Sequence, residues 1–251
     1  MAEVTSHVTA QRVRRAHGDA WQAVGAAREE TGGGVEELAG VRLMATGLPH
    51  PQWNNGDVHD PAAVDLREVR DWYSRLDVPW GMRVPAGADW RHGRRLFRKR
   101  LMGATPASFR EAPDVAGLEL RAAGGDDLDS ILAVDVVAFD ESPEVERPWL
   151  QLLLDHPGTT VAVATLDGTV VATGSVLRSD GWEGPAAYVA GIAVEPAARR
   201  RGIGAAVTSW LMQQAGDVDL WHLHPDTDAA ARIYERLGFV EVEGLDIYID
   251  L

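Results

Sequence analysis

The sequence predicts an α/β protein, and three observations predict it. Segments with apolar or alternating runs interleave with segments of helical period along the whole 251 residues. The apolar run Tyr188 to Val194 passes through Arg199-Arg200-Arg201-Gly202-Ile203-Gly204 into a helical pattern, a strand–turn–helix unit. Asp167-Gly168 separates two strand-like runs, Thr160 to Leu166 and Thr169 to Leu177, and reads as a hairpin turn.

Taken in order, Val4 to Glu30 reads as a helix that Gly32-Gly33-Gly34 stops. Val41 to Thr46 and Gln52 to Val58 read as short strands. Asp65 to Leu76 is helical, with Leu66, Val69, Tyr73 and Leu76 on one face. Pro79 to Pro85 reads as a strand and Trp90 to Met102 as a helix. Thr105 to Gly117 holds Pro106, Pro113 and Gly117 without a clear period and reads as a linker. Leu118 to Arg121 is then a strand, and Asp126 to Val137 and Arg147 to Asp155 are helices. After the hairpin come strand Ala186 to Val194, helix Ile203 to Ala215, strand Leu220 to His224 and helix Thr227 to Leu237. Phe239 to Val242 and Leu245 to Ile249 close the sheet. The expected division is an N-terminal α/β domain over 1–104, a linker over 105–116 and a C-terminal domain over 117–251.

Composition narrows the chemistry. The chain has no cysteine, which excludes disulfides, thiolate metal sites and a cysteine nucleophile. No run of about 18 apolar residues predicts a membrane helix, and Met1 to Ala10 is polar, unlike a secretory signal. A soluble, cytoplasmic protein is expected. The net charge of −14 is uneven: residues 1–116 carry 16 basic and 15 acidic side chains, residues 117–251 carry 8 and 23. The acidic half repels an anionic ligand overall and attracts a cationic one. Yet that half holds the arginine triplet before a glycine turn and a helix start. Glycines let backbone N–H groups crowd an anion, and the helix presents its positive end to the same point.

Arg199-x-x-Gly202-x-Gly204 resembles the acyl-CoA signature of the GCN5-related N-acetyltransferase (GNAT) family. Trp221 to Phe239, ending in Tyr234-Glu235-Arg236-Leu237-Gly238-Phe239, resembles the family's second half, at the family's spacing. The resemblance covers roughly residues 117 to 251 and implies a mixed, mostly antiparallel central sheet flanked by helices. It implies acetyl-CoA as co-substrate and no metal. By carry-over, backbone atoms of Ile192, Ala193 and Val194 would bind the pantetheine arm. N–H groups of Arg200, Arg201, Gly202, Ile203, Gly204 and Ala205 would hold the pyrophosphate, with Arg199 at the start of the loop. Tyr234 would assist the departing thiolate, and the Val194 N–H would polarise the thioester carbonyl.

Two departures stand out. Thr227 stands where the family often has asparagine; it can cap the next helix, and its contact to the cofactor is open. Many relatives place a glutamate on the fourth strand as general base. Here that place falls near Tyr188, among Ala186, Ala187 and Ala190. Asp180, Glu183, His222 and His224 are the alternative bases, each also readable as ordinary packing or solvent contact. Asp140, Glu141, Glu144 and Glu146 read either as a solvated loop or as charge for a cationic acceptor, and Trp149 and Trp182 as core or as an apolar wall.

Arg91, Arg94, Arg95 and Arg98 follow helical spacing, next to His92, Lys99 and Arg100. The charge split favours their pairing with the acidic half over a phosphate-rich partner such as tRNA. Asn54, Asn55 and Asp57 read as a polar turn that reaches the acceptor cleft if the halves pack face to face. The N-terminal half echoes the latter part of a GNAT domain without its motif. A degenerate copy and an unrelated accessory domain both remain open. The expected reaction is direct acetyl transfer from acetyl-CoA to a primary amine of a small molecule, or of a protein N-terminus or lysine. The alternatives are another acyl donor (a longer acyl-CoA or an aminoacyl-tRNA) or a CoA-binding regulator without catalysis.

Overall fold

The computed structural model describes residues 7–251. Helix α1 (Ala10–Ala26) comes first, capped by the Thr9 side chain accepting from the Arg12 N–H. Strands β1 (Gly34–Leu38), β2 (Val41–Ala45) and β3 (Asn54–Val58) form an antiparallel meander. Helix α2 (Leu66–Leu76) carries the chain to β4 (Gly81–Pro85), which runs parallel to β3. Strand β5 (Arg94–Ala104) follows. The second half runs β6 (Leu118–Ala122), α3 (Leu128–Phe139), α4 (Pro143–Asp155), β7 (Thr159–Leu166), β8 (Thr169–Gly181) and β9 (Gly184–Val194). It closes with α5 (Ile203–Gln214), β10 (Leu220–Leu223), α6 (Asp228–Arg236) and β11 (Val240–Ile249).

All these strands form one sheet in the order β1-β2-β3-β4-β11-β5-β10-β9-β8-β7-β6. The halves meet edge to edge, not face to face, and they exchange strands: β5 pairs with β10, and β11 pairs with β4. Alternation along each strand builds two faces. On one, α1, α3 and α4 pack Trp21, Ile131, Leu132, Leu150 and Leu153 over Val161, Val163 and Leu177. On the other, α5 and α6 pack Val207, Leu211, Met212 and Tyr234 over Ala162, Ala164, Val189 and Leu223. The fold class is thus a mixed, mostly antiparallel sheet flanked by helices.

Several elements differ from expectation. The first helix spans 10–26; residues 4–6 of the expected span lie outside the described residues. The helix ends at Ala26, ahead of the glycine run expected to stop it: a 3-10 turn over Glu29–Thr31 intervenes, and Gly34 already opens β1, an edge strand that β2 holds in register. Gln52 and Trp53 belong to a 3-10 turn before β3. Helix α4 begins at Pro143, capped by Ser142, and includes Pro148. The last two strand segments are one strand with an irregularity between Val242 and Leu245.

The largest correction is β5, expected as a helix over Trp90 to Met102. Hydrogen bonding to β10 and β11 on both sides overrides the helical spacing of its arginines. Of the arginines expected to pair with the acidic half, Arg91 instead bonds Asp89 of its own half, and the others do reach across. Arg94 bonds Asp250, Arg98 bonds Asp246, and Arg100 bonds Glu241 and Asp228. They are largely exposed pairs, so they set register more than stability. Among the described residues no helix is long and apolar enough to cross a membrane.

Candidate active site

Strands β9 and β10 run parallel for three residues only: Ala186, Ala187 and Tyr188 face Leu220, Trp221 and His222. Past Tyr188 they diverge, and among the described residues no strand pairs with the edge of β9 from Val189 to Val194. On its other edge β9 stays paired with β8, with a register shift between Thr173 and Ser175. Gly191 sits in that bulge at φ 61, a left-handed backbone that a larger residue resists. The open edge carries Ile192, Ala193 and Val194.

At the end of β9 the chain makes a 3-10 turn over Pro196–Ala198 and enters the loop before α5. Arg199 folds back, its Nε donating to the Val194 carbonyl at 3.0 Å. Arg200 and Gly202 take left-handed φ values of 65 and 86. Gly202 is the N-cap of α5, and no side chain caps that end. From Arg200 to Ala205 no backbone N–H finds an acceptor among the described residues. The first-turn N–H groups of a helix need one, and among the described residues the arginines of this loop form no ion pair. A Cβ built on Gly204 would meet only Val194 and Ile192 side chains, at 3.7 and 3.9 Å. The fold itself therefore leaves that spot open. This cradle fits a diphosphate.

Thr227 caps α6, its hydroxyl accepting from the Ala230 N–H at 3.1 Å. Tyr234 lies one face of that helix inward, 8% exposed, against Phe239. Burial and the charge of Asp226 push its phenol up to about 12. His224 and Asp226 make a pair at the end of β10, Nδ1 to Oδ1 3.4 Å. Burial, then the charge of Lys99, lowers the His224 imidazole despite Asp226. Lys99, the only lysine of the chain, is buried on β5, and burial followed by the Arg83 charge brings it down to about 7.

On the α1 side of the gap lies Tyr188, stacked on His222 with centroids 5.0 Å apart. His17 meets Tyr188 edge-on at 5.0 Å. His222 is fully buried, and burial brings it down to about 3. Trp149 of α4 stacks between Trp21 and Trp53, at 5.6 and 5.3 Å, an apolar wall drawn from both halves. Asp135 of α3 lies behind Trp149, and Glu146 beside it is half-buried.

The site thus gathers Ile192 to Val194, Arg199 to Ala205, Thr227, Tyr234 and His224 around one gap. Other sequence candidates lie elsewhere. Asp180 and Glu183 sit at the tip of the β8–β9 hairpin, about 30 Å along β9 from Val194 at a strand's rise per residue. There the Glu183 carboxylate pairs with Arg12 while its backbone N–H donates to the Asp19 carboxylate, which corrects their candidacy as bases. Trp182 shares that tip, with Arg42 over its ring. Asn54 and Asn55 are buried in β3 and hold the carbonyls of Leu48, Pro79, Pro51 and Gln52. Asp57 pairs with Arg83. All three serve the fold and not the cleft. His222 is enclosed under α1 and Tyr188. Asp140 ends α3, and Glu141 and Glu144 are exposed. Sequence reading missed Lys99 and Asp135 as chemistry. The signal for Asp135 was its place on the apolar stripe Leu128, Ile131, Leu132, where a charge is out of pattern. Among the described residues no three metal-ligating side chains converge.

Known proteins are similar to this chain in sequence and fold. A sequence profile of the Acetyltransferase (GNAT) family matches residues 126–239. A mycothiol acetyltransferase of Thermobispora bispora is 30% identical over 191 residues, 68% of this chain. The match spans 62% of that relative's length. An aminoglycoside N(6')-acetyltransferase type 1 of Serratia marcescens is 34% identical over 134 residues, 49% of this chain and 92% of the relative. The solved structure of a GCN5-related N-acetyltransferase from Kribbella flavida superimposes with a TM-score of 0.71 at 20% identity, over 94% of this chain and 96% of that one. With a profile match that takes in the whole of this gap and a relative covered almost end to end, the chain belongs to the GNAT family of acetyltransferases.

Proposed function

We propose that the protein transfers an acetyl group from acetyl-CoA to a primary amine of a small molecule, by direct attack in one ternary complex. The observation that carries this reading is the uncapped head of α5. Its unpaired N–H groups from Arg200 to Ala205 stand at the end of the open edge of β9. In this reading the main chain of Ile192, Ala193 and Val194 pairs with the pantetheine arm. The loop holds the diphosphate, and Arg199, Arg200 and Arg201 add charge that the acidic half otherwise lacks. Acetyl-CoA supplies the activated acyl group; the chain supplies position, and proximity gives much of the rate.

The Val194 N–H polarises the thioester carbonyl. Tyr234 donates a hydrogen bond to the leaving sulfur. A phenol at about 12 opposite a thiol near 8.5 makes complete proton transfer uphill by about 5 kcal/mol. Tyr234 therefore stabilises developing charge and keeps its proton. Thr227 positions α6 beneath it. A small-molecule acceptor is favoured because the relatives are named for mycothiol and aminoglycosides, and because the acidic half attracts a cationic amine. We also read residues 1–104 as a degenerate copy of the fold, 105–116 as the connector and 117–251 as the working domain. The repeated unit of strand, helix and parallel strand supports this.

The test is calorimetry with CoA, followed by mass spectrometry of acetyl-CoA reactions with an amine panel that includes aminoglycosides. CoA binding and a product heavier by one acetyl unit are expected. Binding without turnover on any amine would leave a CoA-binding regulator, and absence of binding would remove the reading.

A further inference from the structure

The strand-four carboxylate common among relatives is absent here, and a different carboxyl pair lies within reach of the same strand. Asp135 is 4% exposed, and its Oδ1 has no hydrogen-bond partner. It lines a cavity of about 30 Å³ with Trp149, Thr173, Ser175, Ala190 and Gly191, the last two in the bulge of β9. Glu146, in the first turn of α4, hydrogen-bonds to Asp135 and reaches toward solvent. A buried carboxylate oxygen without a partner is costly and calls for an explanation; an asparagine or leucine would serve α3 better.

Burial, then the charge of Glu146, pushes Asp135 up to about 7. Burial, then Glu141, raises Glu146 as well. The side chains facing Asp135 from β7, β8 and β9 are Val161, Thr173, Ser175 and Ala190, and from α4 Trp149, Leu150 and Leu153. None of these titrates near neutrality, so the two carboxyls answer to each other: they share one proton below the Asp135 midpoint and are both ionised above it.

Building on the acetyl-transfer reading, we propose that Asp135 and Glu146 form the proton relay that deprotonates the acceptor amine. The ammonium N–H bond breaks toward Asp135 Oδ1, through the single water the cavity has room for. In the reactive form both carboxyls are ionised; Asp135 takes that proton and passes it to Glu146. The freed electron pair on nitrogen forms the C–N bond while the C–S bond breaks, its electrons staying on sulfur. Glu146 then releases its proton to solvent.

The experiment uses the full chain, saturating acetyl-CoA and the amine found by the panel, with kcat measured from pH 5.5 to 9.5. Wild-type kcat should fall on the acid side with a midpoint near the Asp135 value. Asp135→Asn should lower kcat about 100-fold and abolish that limb, with the KM for acetyl-CoA within twofold. Glu146→Gln should move the midpoint down by about one unit, which a merely structural role would not do. In the unliganded protein, a carboxyl resonance titrating near 7 should be present in wild type and missing in Asp135→Asn. The relay is overturned if Asp135→Asn keeps the limb with less than a threefold loss in kcat. It is equally overturned if the limb disappears only in His224→Asn, or if no carboxyl titrates near 7 in a protein that binds CoA. Failure of wild type to bind CoA at all would instead bring down the acetyl-transfer reading, and the relay with it.

Discussion

Helices α2 and α5 do the same architectural task and end in opposite chemistry. Each joins two parallel strands, β3 to β4 and β9 to β10, and each such pair matches for three residues. The head of α2 is closed. Asp65 caps it, accepting from the Arg67 N–H at 2.9 Å and from the Arg67 guanidinium at 3.0 Å, and Glu68 adds a second carboxylate in the first turn. The head of α5 is open, with a left-handed glycine at the cap and arginines before it. The strand–helix–strand frame is therefore indifferent to anion binding. One capping residue decides whether the positive end of the helix is spent on the protein or left for a ligand.

The largest effect that tests this comparison is at Gly202. Valine there faces a positive φ and a filled loop, and CoA affinity should fall by about 100-fold or more. Calorimetry that finds the affinity intact would break the comparison. Tyr234→Phe should lower kcat by about 10- to 100-fold and leave the KM for acetyl-CoA unchanged; equal turnover would take Tyr234 out of the reaction. Acid sensitivity should come next. His17 and His222 are held neutral by burial, His222 down to about 3, whereas the unfolded chain protonates both near 6.5. Stability is thus full above pH 6.5 and falls below it, by about 1.4 kcal/mol per pH unit per histidine. Urea midpoints at pH 7 and pH 5 would measure this, and equal midpoints would refute it. Arg201→Ala should weaken CoA binding by roughly threefold at low salt and less at high salt. Smallest of all, Asp65→Ala should cost about 1 kcal/mol of stability and leave CoA affinity as it was. An effect on CoA there would mean that the closed head is not inert.

The parts of the fold that could be read from sequence are those whose cause is local. The Asp167-Gly168 turn, the Thr227 cap and the strand–turn–helix at Gly202 are each determined within a few residues. Strand β5 is different. Its arginines carry helical spacing, and only β10 and β11, more than a hundred residues later, make it a strand. The same holds at the site. The loop before α5 announced itself, whereas Asp135 became chemistry only when α4 brought Glu146 beside it and the bulge of β9 closed the cavity. Asp180 and Glu183 lie close to Tyr188 in sequence but at the far end of a long strand, since proximity along an extended chain is distance in space.

The traded strands have a consequence for synthesis. When residues 1–104 have left the ribosome, β5 has emerged but both of its eventual neighbours are still unmade. For the time needed to translate the remainder, an extended segment ending in Leu101-Met102 stands unpaired, the type of edge that recruits other chains. Arg94, Arg95, Arg98 and Arg100 crowd the exposed end of that segment. Charge at such an end opposes sticking to other chains, and in the folded protein Asp250, Asp246 and Glu241 take up Arg94, Arg98 and Arg100.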